Sequence, residues 1–74
     1  MTEQFHSPTV SFRFVEFNER RAMRGKEAAR VEVLEDGELN CWLWMSRSDI
    51  RKNIAEFGPD PELQRAALAY RGWK

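Results

Sequence analysis

The chain has 74 residues, with twelve basic and twelve acidic side chains, one cysteine and one histidine. That length makes one domain. A lone Cys41 excludes an internal disulfide and, with His6, falls short of a transition-metal ligand set. Balanced charge leaves no overall field to draw nucleic acid or an anionic membrane, and no apolar run approaches the ~20 residues of a membrane span. No signal peptide is visible in the polar first eight residues, so a cytoplasmic protein is expected. A domain of this size buries only about 60% of its unfolded surface, so it depends on a dense aromatic core or on a partner.

Residues 1–8 read as a flexible arm, and 9–74 as a single small domain. From Thr9 the chain alternates, with Val10, Phe12 and Phe14 on one side and Ser11, Arg13, Val15 and Phe17 on the other, which predicts a strand. Asn18 is placed to cap one or two helical turns that Gly25 closes. The link is too short for a parallel crossover, so an antiparallel return is expected. A second strand runs from about Glu27 to Glu35, and Asp36-Gly37 is a strong hairpin signal.

The third strand, Leu39-Asn40-Cys41-Trp42-Leu43-Trp44-Met45, is apolar on both faces. A two-residue turn pairs Val31 with Trp42 and Ala29 with Trp44, which puts the tryptophans on the valine face. A three-residue loop pairs Val33 with Leu39 and leaves them beside Arg30 and Glu32. A one-residue slip exchanges the faces. The first register is favoured because it gathers the largest apolar groups. In either register one row, Trp42 and Trp44 or Leu39, Leu43 and Met45, is left without a cover and becomes the expected partner-binding surface.

Ser46 and Asp49 have capping-box spacing, with Asp in place of the usual Glu, and Met45 and Ile50 are placed as a hydrophobic staple. Ile50, Ile54 and Phe57 form the inner stripe of a helix that Gly58-Pro59 ends. Asp60-Pro61 opens a second helix that buries Leu63, Ala67 and Tyr70. Gly72 is read as its terminal glycine, with Trp73 packing back on Leu68. The predicted fold is α+β: a three-stranded antiparallel sheet followed by two short C-terminal helices, in two layers.

Charge is segregated. Arg20, Arg21, Arg24, Lys26 and Arg30 fall in residues 18–31, whereas Glu32, Glu35, Asp36 and Glu38 follow without a base. The basic run, with Arg47, Arg51 and Lys52 on the first C-terminal helix, is the expected contact for an anion or an acidic partner. It lacks the interleaved aromatics of single-strand binders. The helix–turn–helix spacing is a weak signal for DNA, because Asp60 and Glu62 at the start of the second helix repel phosphate. His6 has nothing to position it as a general base. All four glycines fit turns or helix ends, so none forms a phosphate loop. No cofactor and no enzymatic activity are expected.

The segment from Trp44 to Leu63, with its pattern Asp49-Ile50-x-x-Asn53-Ile54-x-Glu56-Phe57-Gly58, resembles the C-terminal part of small uncharacterised phage and prophage proteins of proteobacteria. The resemblance implies a mobile-element origin and carries over no functional residues. It favours a small protein that docks on a host protein, in its sharpest form an inhibitor of a host defence system of the anti-CRISPR type. A nucleic-acid accessory protein and a homodimeric assembly component are the alternatives.

Overall fold

The computed structural model describes residues 9–73; the expected arm, with His6, lies outside them. Among these residues the order is β1 (Val10–Phe17), α1 (Glu19–Met23), β2 (Ala29–Glu35), β3 (Glu38–Met45), α2 (Arg47–Phe57) and α3 (Pro61–Trp73). The strands form an open antiparallel sheet in the order β1-β2-β3. This is the predicted α+β arrangement, with the Asn18-capped link formed as the short helix α1. The Asn18 side chain accepts from the Arg21 amide at 3.0 Å.

Helices α2 and α3 lie on one face of the sheet. α3 packs on β1 and β2, whereas α2 packs on α3 and has little contact with β3. The core between the layers holds Phe12, Ala28, Ala29, Val31, Met45, Ile50, Leu63, Ala66 and Tyr70. Phe57, nearly half exposed, still meets Phe12 edge-to-face at 5.5 Å. Burial at this density is the main source of stability for a chain so short.

The hairpin turn is the predicted two-residue Asp-Gly turn. Asp36 and Gly37 have φ of 53° and 84°, and two successive positive-φ residues match the right-handed twist of the flanking strands. Glu35 pairs with Glu38 and Leu34 with Leu39, as the favoured register requires. The register then shifts. Asn40 is an extra residue, and beyond it Val33 pairs with Cys41, Glu32 with Trp42, Val31 with Leu43, Arg30 with Trp44 and Ala29 with Met45. The expectation that Trp42 and Trp44 join the valine face is therefore wrong: a β-bulge turns them to the side away from the helices. Met45, expected as part of a contact row, is core and only 2% exposed.

A second bulge, between Phe14 and Glu16, makes Val15 the extra residue of β1. It returns Phe17, expected on the other side from Phe12, to the helix side, where its ring meets Tyr70 edge-to-face at 4.8 Å. The ending of α3 also differs from expectation. The helix continues through Gly72, and Trp73 packs near Phe17 at 6.2 Å, while Leu68 is exposed. Phe17 offers Trp73 a partly buried aromatic neighbour, which Leu68 on the solvent side does not.

The helix starts follow their caps. Ser46 and Asp49 make the reciprocal capping box, at 3.1 and 3.0 Å. The Asp60 carboxylate accepts from the Glu62 and Leu63 amides at 2.8 and 3.2 Å.

Tyr70, the only tyrosine, ties the layers together. Its buried hydroxyl accepts from the Ala28 amide at 2.8 Å and donates to the Met45 carbonyl at 2.7 Å. It thus joins the start of β2 to the end of β3 from a helix on the opposing layer. Tyr70→Phe keeps the ring and strands both backbone groups, so we expect a loss of about 1–3 kcal/mol, read from chemical denaturation. An unchanged midpoint would show that water replaces the hydroxyl without cost.

Candidate interaction surface

The two edges of the sheet are treated differently. At the β1 edge, the Glu62 carboxylate from α3 accepts the outward amide of Phe14 at 2.9 Å. That bond, more than the neighbouring Arg65, holds the Glu62 carboxyl below its usual pKa. Among the described residues the β3 edge has no such cover: every residue from Glu38 to Leu43 is exposed.

The backbone groups on that edge follow from alternation along β2, which carries no bulge. The Asp36 amide donates to the Thr9 carbonyl at 2.9 Å, and the Ala28 carbonyl accepts from the Asn18 amide at 2.8 Å. The even-numbered residues of β2 thus face β1, and Ala29, Val31 and Val33 face β3. Their partners Met45, Leu43 and Cys41 bond inward. Trp42 and Trp44, opposite Glu32 and Arg30, turn their amides and carbonyls to the free edge.

The outer face, opposite the helices, carries Leu34, Leu39, Trp42 and Trp44 among charged groups. Trp42 is 48% exposed and Leu39 55%; Trp44 is half-buried. The indoles meet at nearly right angles with centres 6.2 Å apart. Each carries an arginine on its ring: Arg21 lies 4.3 Å from the centre of Trp44 and Arg30 4.3 Å from that of Trp42. The π face attracts the cation, and the guanidinium shields the indole. Both arginines are held from a second side. The Arg21 Nε donates to the Glu27 carbonyl at 2.6 Å, and Arg30 pairs with Glu16 at 3.6 Å. The buried Arg30 Nε has no hydrogen-bond partner among the described residues, and its guanidinium stacks on the Trp42 ring. Arg13 and Glu32 pair further across the same face.

The expected partner-contact residues therefore divide. Trp42, Trp44 and Leu39 share the outer face, Leu43 is 37% exposed on the helix side of the same edge strand, and Met45 lies in the core. The basic run divides too. Arg21 and Arg30 join the tryptophans, whereas Arg20, Arg24 and Lys26 are exposed on or just after α1. Arg47 leans over the Tyr70 ring at 5.5 Å and donates to the Tyr70 carbonyl at 3.3 Å. Arg47 and Arg51 border a groove between α2 and α3, and Lys52 is exposed on α2. The less favoured register of the sequence reading already set the tryptophans beside Arg30 and Glu32, whereas the stacking of Arg21 on Trp44 had no sign in the sequence. The alternation of Arg30 with Val31 was the available sign that Arg30 shares a face with Trp42 once the register shifts.

Among the described residues no group of three or more His, Cys, Asp and Glu side chains is placed to hold a metal ion, and no helix is long and apolar enough to cross a membrane. No family model matches the chain, and no curated protein or solved structure matches it.

The division of the third strand has an energetic signature. Met45→Ala opens a cavity and should cost about 2–5 kcal/mol. Trp42→Ala removes one cation–π and one aromatic contact at a half-open site and should cost about 1–2 kcal/mol. Denaturation midpoints of the two variants check the order; the reverse order would put Trp42 in the core.

Proposed function

We propose that this chain is a small non-enzymatic binding protein that docks on a protein partner through the outer face of its sheet. The reading rests on the pair of arginine-stacked tryptophans on the sheet face that none of the described helices covers. Trp and Arg are the residue types that dominate binding energy at protein interfaces, and a ring held by a stacked guanidinium loses little freedom on binding. The neighbouring Leu39 extends the apolar area, and Arg13, Glu16 and Glu32 supply a polar rim. A mobile-element origin, expected from the sequence of residues 44–63 alone, would make a host protein the target, and an inhibitor of host defence is the most specific form of the proposal.

Nucleic acid is the weaker reading. Two of the five cations in the basic run are spent on indoles and local acceptors, and the net charge is zero. Phosphate-driven binding needs free cations and falls steeply with salt.

Affinity capture from a bacterial host lysate, wild type against Trp42→Ala with Leu39→Ala, tests the proposal. The expected result is a protein retained by the wild type, resistant to moderate salt and lost at least tenfold in the double variant. Equal retention by both would overturn the outer-face assignment. Salt-sensitive retention of nucleic acid would favour the second reading.

A further inference from the structure

Resting on that reading, we propose that the free edge of β3 pairs antiparallel with β3 of a second copy, about a two-fold axis at Leu43, so that the outer faces join into one binding surface.

Four observations converge on this edge. First, its backbone is set for an isologous pair. Trp42 and Trp44 point their amides and carbonyls outward, so in an antiparallel pair Trp42 exchanges both hydrogen bonds with Trp44 of the second copy, and Trp44 with its Trp42. Leu43 then faces its own counterpart as the non-bonded pair on the axis. Second, the side chains suit themselves under that symmetry. Cys41 falls opposite Met45 of the second copy in register, and pairing covers Cys41 and Leu43, which are otherwise exposed on the helix side. The indoles of the two copies become cross-strand neighbours on the outer face.

Third, the edge is weakly protected. Soluble proteins blunt a free edge with charge, proline, a bulge or a covering element; beyond the Asn40 bulge, Cys41 to Met45 contains no charged residue and no proline. The β1 edge of the same sheet is covered by Glu62 and α3, so the fold protects one edge and leaves the other open. Fourth, charge favours the antiparallel sense. It holds the two acidic hairpin ends, with Glu35 and Glu38, apart on opposite sides of the axis. A parallel arrangement would bring acid to acid.

The consequence for function is a six-stranded sheet whose outer face holds four tryptophans in a row, each with its arginine. One copy offers half of that surface.

Sedimentation equilibrium of the full chain measures the pairing directly. The expected mass is twice the 8.8 kDa of one chain, and Leu43→Lys, which places a charge on the axis, is expected to give a folded monomer with an unchanged circular dichroism spectrum. A second readout fixes the register and does not depend on that variant folding. In a Cys41→Ser background, Leu43→Cys puts two thiols on a non-bonded cross-strand pair, at Cα separations of about 4.5 Å that a disulfide accepts. Mild oxidation should cross-link it, whereas native Cys41, offset from its counterpart, should not. A wild type that sediments as one chain at every concentration overturns the proposal, and so does cross-linking through Cys41 in place of position 43. The two readings separate cleanly. A monomer that retains Trp42-dependent capture overturns the pairing and leaves the binding reading standing; a cross-linked dimer that captures nothing upholds the pairing and removes the binding reading.

Discussion

One surplus residue in β3 decides the character of this molecule. The Asp36-Gly37 turn starts the hairpin in a register that would carry Trp42 and Trp44 under the helices. Asn40 then adds one position, and every side chain beyond it changes faces. Met45 becomes the residue that fills the core beside Ile50, and the two indoles emerge on the open side. The exchange has a packing logic. The space under α2 and α3 is already occupied by Phe12, Leu63 and Tyr70, and two tryptophans would overfill it, at a cost of the order of 1–3 kcal/mol or more. A flexible methionine fits the remaining gap.

The same economy explains how so small a chain holds its helices. Tyr70 reaches across the layers to bond β2 and β3 at once, Glu62 completes β1, and Arg47 closes the Tyr70 carbonyl while leaning on its ring. These contacts concentrate on β1 and on the end of the sheet near Met45. The hairpin end and the outer edge of β3 receive none of them. Stability and exposure are thus spatially separated: one end of the sheet is clamped, and the other is left for contacts outside the chain.

The parts of this structure written in local signals were legible. The Asp-Gly turn, the Ser46–Asp49 box, the Asp60-Pro61 start and the Asn18 cap all depend on residues within four positions of one another, and each formed as its chemistry requires. The two bulges were not legible. Val15 and Asn40 carry no glycine or proline to mark them, and simple alternation carried across each puts Phe17 and the tryptophans on the wrong face. The continuation of α3 through Gly72 was hidden for a related reason: the aromatic neighbour that holds Trp73 is Phe17, more than fifty residues away. The exposed surface was foreseeable as a quantity, because a two-layer domain covers one sheet face, but its composition depended on the bulge. Arg30 of β2 neighbours the tryptophans in the less favoured register of the sequence reading, but Arg21 comes from α1, and only the fold brings it to Trp44.

Trp42 and Trp44 stand opposite Glu32 and Arg30 on the uncovered face, and both the proposed binding and the proposed pairing depend on it. In an antiparallel pair the α-protons of non-bonded partners approach closely, so nuclear Overhauser contacts between strands read the register residue by residue. Strong contacts are expected between the α-protons of Trp42 and Glu32 and between those of Trp44 and Arg30. Contacts that instead place Trp42 directly opposite Val31, and Trp44 opposite Ala29, would contradict it and return both tryptophans to the core.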